Sequence, residues 1–362
     1  MPFRAWFLLL LLCCPLFSSC AGDRPAPAGP FPEPPLFAED DPVDPGCSYF
    51  YFLWGSHAEI NQHFPEALEA YEKALICDPQ AAYIREKIPV LLLKMEDFVR
   101  AAEWLNHAVK EEPDNLSYRL LLANIALHHE NYEEAIHHYD QAVRIDPENQ
   151  EVQLRRGLLY DHIGKYQEAE QIFSALLKTN GQYYPAHLAL ARLYKQTDRP
   201  ENAAIAYERA LALNWSKELA YELGYFYVGQ ELHEDALRIY TTITDNDHFD
   251  ERAALNRIQT LLDLNENTQA LKELRILRTF SSSPAMIDMI ISKVLLRENH
   301  VAAARELLEK IARRENSSEA RYMLALLAFQ EDDSPTALAH LRQILPDREE
   351  FEEAVYLQVR IH

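Results

Sequence analysis

An alanine returns through this chain at positions 67, 101, 135, 169, 203, 236, 270, 304 and 337, always after 33 or 34 residues. A period of that length marks small supersecondary units stacked one on the next, because a single compact core has no reason to repeat itself so evenly. Four residues after each alanine stands a bulky side chain: Tyr71, Leu105, Tyr139, Phe173, Tyr207, Tyr240, Leu274, Leu308 and Leu341. Three further on lies another apolar residue, as at Ala74, Ala108, Ala142, Leu176 and Ala210. Steps of four and three place all of these on one face of a helix. Twelve residues before the alanine, most units carry a small residue: Gly55, Ala123, Gly157, Ala191, Gly224, Ser292 and Ala325. A small side chain there lets a second helix come close. Pro79, Pro113 and Pro147, each after an aspartate or glutamate, close the first three units, since proline disfavours helix in the residue before it. Each unit is therefore expected to be a hairpin of two helices, and the low glycine content agrees.

The stretch YFYFLWGSHAEINQHFPEALEAYEKALICDP, with Trp54, Gly55, Ala67, Tyr71, Ala74 and Pro79, resembles a tetratricopeptide repeat (TPR), and the other units follow it. The resemblance implies an all-α fold, a right-handed superhelical TPR solenoid of about nine helical hairpins over residues 47–349. Two positions depart from the pattern. Pro89 stands where the second unit needs a small residue, and is expected to kink that unit's first helix or shift its start. Ile258 replaces the small residue of the seventh unit. Residues 350–362 have the pattern of a first helix with no second one after it. This segment is expected to be a cap or the start of a truncated repeat, and Val355, Tyr356, Leu357, Val359 and Ile361 make it apolar for a cap.

The chain begins with one arginine, Arg4, then an apolar run, then Ser18 and Ser19 before Cys20. Residues 1–20 have the layout of a secretory signal, with an apolar core too short to span a bilayer comfortably. Phe17-Ser18-Ser19-Cys20 resembles the lipobox of bacterial lipoproteins, with Phe17 where leucine is usual. That resemblance implies lipidation at Cys20, and Ala21 rather than aspartate after it implies an outer-membrane anchor facing the periplasm. An ordinary cleaved signal, giving a soluble periplasmic or secreted protein, is the alternative. Residues 21–46 carry eight prolines and no helical period, and are expected to form a stiff disordered tether.

TPR geometry puts the first helix of each unit along a concave groove. The partner-binding residues this implies are Tyr49, Phe52, Asn124, Arg192, Lys195, Tyr221 and Tyr225. Aromatic rings there suit an extended or helical peptide, because they bury much area at little entropic cost. Tyr83, Arg252 and Lys293 fall at equivalent positions. Phe52 and Ser56 stand where the chaperone-tail type of groove needs lysine and asparagine, so that type is not expected. Arg192 and Lys195, one turn apart, suit an acidic partner segment; the alternative is pairing within the chain to Glu201 or Asp161.

Acidic residues outnumber basic ones 57 to 35, a net charge of −22, which argues against nucleic acid as a partner. Cys47 and Cys77 fall at neighbouring ends of the first hairpin, where a disulfide is geometrically open to them. His128, His129, His137 and His138 are adjacent pairs whose members diverge by about 100° on a helix, so no metal site is expected. The sequence has no glycine-rich phosphate loop, GxSxG, HExxH or CxxC motif. No catalytic residue and no cofactor is expected. The expected function is a protein-protein interaction scaffold or adaptor. Resemblance to bacterial envelope TPR lipoproteins implies work in pilus, secretion, polysaccharide-export or cell-wall assembly. The alternatives are a glycan- or lipid-binding carrier, or the non-catalytic repeat part of a longer enzyme-associated protein.

Overall fold

A computed structural model of the chain describes residues 43–346 and 349–361. The signal segment, Cys20 and the proline-rich stretch up to residue 42 lie outside the described residues. The helices are α1 (Pro45–Ile60), α2 (Phe64–Cys77), α3 (Ala82–Arg85), α4 (Lys87–Lys94), α5 (Phe98–Glu111), α6 (Leu116–His128), α7 (Tyr132–Ile145), α8 (Gln150–His162), α9 (Tyr166–Thr179) and α10 (Tyr184–Gln196). They continue with α11 (Pro200–Leu213), α12 (Lys217–Gly229), α13 (His233–Asn246), α14 (Glu251–Asp263), α15 (Asn267–Leu277), α16 (Pro284–Arg297), α17 (Val301–Arg314), α18 (Ser318–Gln330), α19 (Ser334–Leu341) and α20 (Phe351–Ile361). No strand occurs among the described residues. They form two compact units, one ending at Asp97 and one beginning at Phe98.

In the first unit, Asp44 caps α1 by accepting from the backbone N–H groups of Gly46 and Cys47. Its own N–H donates to the carbonyl of Cys77 at 3.0 Å. Cys47 and Cys77 are joined by a disulfide, with Cα atoms 5.8 Å apart. The start of α1 is thus tied to the end of α2. The second repeat's first helix is broken: α3 stops at Arg85 and α4 starts at Lys87. Pro89 has no N–H to offer the carbonyl four residues back, at Arg85, so the helix restarts there.

The second unit holds α5 and then hairpins from α6/α7 to α18/α19. All nine repeating alanines of the chain are 0% exposed. Each is close-packed, which leaves no room for a larger side chain. The bulky residue four positions later is buried as well, and three of the small residues explain why they are glycine. A Cβ at Gly157 would lie 2.4 Å from Cε1 of Phe173, and one at Gly224 would lie 2.7 Å from Cε1 of Tyr240. In the first unit a Cβ at Gly55 would lie 2.6 Å from Tyr71 Cε1. The ring packs directly against bare backbone. Where the partner is leucine the rule relaxes: Ile258, paired in register with Leu274, is itself buried.

The turn inside every hairpin contains one residue with positive φ. These are Gln62, Glu96, Glu130, Asp198, Glu231, Asn265, Asn299 and Asp332, at φ between 55° and 62°, together with Gly164 at 79°. Each lies five residues before its alanine. The residue after it sends its N–H back five positions, as in His63 to Ala58, Asn131 to Ala126 and Lys165 to Tyr160. That is the Schellman end of a helix, which favours glycine. Only one of nine units supplies it. Between several hairpins the residue eleven after the alanine is extended whether or not proline follows: Asp78 precedes proline, Asn180 and Asp247 do not. Asp78, Asn180 and Asp247 each accept a hydrogen bond from the N–H two residues on, an Asx turn that accompanies the proline at Asp78 and stands without one at Asn180 and Asp247.

At the far end, Ala354 and Leu357 of α20 pack with Leu341, Ile344 and Ala325, while Val355, Tyr356 and Val359 are exposed. The segment therefore covers the last hairpin with one face. No helix among the described residues is long and apolar enough to cross a membrane.

Two substitutions in the second unit test this account through the midpoint of urea denaturation. Glu130→Gly relieves a left-handed residue and is expected to stabilise by about 1 kcal/mol. Gly157→Ala, although alanine is the better helix former, is expected to destabilise by about 1–3 kcal/mol, because the added carbon collides with Phe173.

Candidate partner-binding groove

The inner residues of the first unit are aromatic. Tyr49 is exposed and stacks on half-buried Phe52 at 6.5 Å between ring centres. Phe52 meets Tyr83 edge-on at 5.0 Å. Two turns beyond, Glu59 accepts from Lys94 at 2.6 Å, from the Tyr71 hydroxyl at 2.8 Å and from Lys87 at 3.2 Å. Burial pushes the Glu59 carboxyl up, but these three donors and the Lys87 charge outweigh it and bring the pKa down to about 2. This carboxylate clasps α1, α2 and α4 together.

In the second unit, Asn124 is exposed on α6. Arg192 and Lys195 are exposed on α10. Arg192 does not pair with Glu201 or Asp161. Its fork closes on Glu222 of α12, Nε to Oε1 at 3.0 Å and Nη2 to Oε2 at 2.7 Å. Glu222 belongs to the next hairpin and faces back toward α10, and it also accepts from the Tyr207 hydroxyl at 2.8 Å. Burial pushes the Glu222 carboxyl up, but Arg192 and Tyr207 outweigh it and hold it below the usual range. Paired in this way, Arg192 ties two neighbouring hairpins. Lys195 forms no ion pair with any described residue, though its charge lies near Glu222.

Tyr221 is not a surface contact. It is 6% exposed, its ring lies under the Arg252 guanidinium at 4.3 Å, and its hydroxyl donates to Asp250 at 2.6 Å. Burial, followed by the hydrogen bond to Asp250, pushes its phenol up. It supports Tyr225, which is 42% exposed and stacks on it at 6.1 Å between ring centres. The Tyr225 hydroxyl accepts from Arg252 Nε and from Asn256 Nδ2, both at 2.9 Å. The result is a rigid rack: one exposed aromatic ring held from α14 and backed by another. Such a rack can bury an apolar side chain or a ring of a partner without losing freedom of its own.

Sequence reasoning missed Glu222 and Asn256. Both lie fourteen residues before their alanine, one residue past a position taken to face the groove. The signal for Glu222 was its spacing of thirty residues from Arg192. A second concavity, of about 760 Å³, is lined by Leu190, Tyr194, Ile205 and Tyr227. It uses a different face of α10 from Arg192 and Lys195. The histidine pairs pack rather than converge: His128 stacks on Phe98 at 3.8 Å, and His138 is buried, its pKa lowered by that burial and then by His137 and Arg119. Among the described residues no group of three or more histidine, cysteine or acidic side chains converges as a metal site would require.

Two family models, both described as tetratricopeptide repeat, match the chain. One matches residues 90–150, 120–185 and 291–351, the other 164–214. Together they take in just over half of the chain. The chain is a tetratricopeptide repeat protein. No curated protein matches it. Among solved structures, a TPR protein from Parabacteroides merdae is similar at 17% identity, covering 76% of this chain and 97% of that one, with a TM-score of 0.42. The MamA protein is similar at 18% identity over 46% of this chain and 91% of that one, TM-score 0.41. A thermophilic TPR protein of Thermus thermophilus is similar at 22% identity over 50% and 99%, TM-score 0.37. At these scores nothing is carried from those proteins to this one. The TPR fold itself is a scaffold for protein-protein interaction.

The Glu59 clasp gives a pH-dependent expectation. Its pKa is lower folded (about 2) than the ordinary 4.5, so its stabilisation is full above about pH 4.5 and is lost as pH falls toward 2. Glu59→Gln is therefore expected to speed amide exchange in α1 and α2 severalfold at about pH 6, after correction for intrinsic rates. The difference from the parent chain should shrink steadily between pH 4.5 and pH 2.

Proposed function

We propose that this TPR protein is a scaffold of the bacterial cell envelope, binding segments of partner proteins along its first helices and catalysing nothing itself. The observation that carries the binding role is the rack of Tyr225 on Tyr221, held by Arg252 and Asn256. Side chains fixed by their neighbours before a ligand arrives lose little entropy on binding. Tyr49, Phe52 and Asn124 add aromatic and polar surface on other repeats.

The envelope location rests on the sequence before residue 43: a signal-like segment, a lipobox-like Cys20 and a proline-rich tether of about twenty residues. An anchor with such a spacer holds a binding array at the membrane while leaving it reach. Assembly of pili, secretion machinery, exported polysaccharide or cell wall would use a scaffold of this kind.

The test is a crosslinking pull-down from envelope fractions with mass spectrometry of both the bait's N-terminus and what it captures. The expected result is diacylglycerol on Cys20 and a reproducible partner that Tyr225→Ala loses. A free amino terminus after signal cleavage would remove the anchor, and a partner indifferent to Tyr225→Ala would remove the groove.

A further inference from the structure

The groove is not uniformly acidic, although the chain is. In TPR geometry the groove-facing residues lie 18, 15, 11 and 8 positions before each repeating alanine. Through the fifth to eighth repeats those places hold four cations, Arg192, Lys195, Arg252 and Lys293, against one carboxylate, Glu218. In a chain with 57 acidic and 35 basic residues this excess runs against the overall balance. The flanking repeats return to acid at the same places, with Glu151 and Asp161 before and Glu319 after. At these inner positions alone, the stretch from α10 to α16 is a basic window in an acidic molecule.

Two of the four cations are already neutralised. Arg192 is forked to Glu222, and Lys293 lies 2.6 Å from Glu319. Lys195 and Arg252 have no carboxylate within ion-pair distance among the described residues, and both are exposed. Arg252 is held in place by what surrounds it: its plane covers Tyr221 at 4.3 Å, and its Nε donates to Tyr225. The nearby Asp250 is committed to Tyr221 and to Lys217. The two terminal nitrogens of Arg252 have no acceptor among the described residues, and they belong to the planar fork that matches a carboxylate.

We infer that the groove between α10 and α14 takes an acidic peptide segment, one side-chain carboxylate meeting the Arg252 fork, another meeting Lys195, and an apolar or aromatic side chain between them lying on Tyr225. This rests on the groove being the binding face. A partner of that kind would otherwise be repelled by a molecule of net charge −22. The local window removes that barrier at one place on the surface, so charge supplies selectivity and register while the ring supplies contact area.

The test pans a library of random peptides about twelve residues long, enough for an extended segment to cross two repeats, on the full chain. The double variant Lys195→Gln, Arg252→Gln and the single variant Tyr225→Asp are panned in parallel. Both substituted cations are exposed, and unchanged circular dichroism and melting temperature serve as the folding control. The expected outcome is selected peptides enriched in aspartate and glutamate flanking an aromatic or aliphatic residue. Their affinity is expected to fall at least about tenfold on the double variant and to weaken with added salt. Selected peptides that are neutral or basic, yet lost on Tyr225→Asp, would overturn the acidic specificity and leave the groove standing. Acidic peptides that bind the double variant equally well would overturn the assigned site. No enrichment over Tyr225→Asp would overturn both this inference and the groove reading beneath it.

Discussion

A ring packed against a glycine is the contact on which each tight hairpin depends. Phe173 on Gly157 and Tyr240 on Gly224 bring the two helices of a repeat closer than any side chain between them would allow. The repeating alanine is completely buried in these hairpins, as it is in the others. Close packing of this sort makes the core sensitive to a single carbon. Where leucine replaces the ring, as at Leu274, the position opposite is free to enlarge to Ile258, so the requirement belongs to the pair and not to the site.

The groove is a by-product of the same packing. With one face of every first helix committed to its own hairpin, the inner positions are left over, and neighbouring repeats tie those together with polar contacts. Arg192 reaching Glu222 and Tyr221 reaching Asp250 each cross from one repeat to the next. The ties freeze side chains that a partner would otherwise have to order. The proposed binding face and the cohesion of the stack draw on one set of residues.

The helices and their core face were legible in the sequence because both depend on local periodicity: Ala169, Phe173 and Leu176 can share a face only in a helix. Pro89 was legible for the same reason, since a missing N–H acts within one turn. The left-handed turn was not, because glycine marks it at Gly164 alone, while Glu130 or Asp198 there look like ordinary surface acids. The pairing of Arg192 was not legible either. Ion pairs depend on which residue of the next repeat faces back, and Glu222 lies one residue past Tyr221, the position that family geometry assigns to the groove. Tyr221 was misjudged on similar grounds: its register is inward, but Arg252 covers it.

The turn residues carry one more consequence. Five of the nine are acidic, and in the second unit Glu130, Asp198, Glu231 and Asp332 occupy this corner in four of its seven hairpins. A left-handed residue at a helix end turns its side chain toward water, so these carboxylates form a fence along one rim of the stack. Repeat arrays offer long regular edges on which copies of themselves could align. Carboxylates at four of those seven corners oppose that alignment wherever two of them would meet.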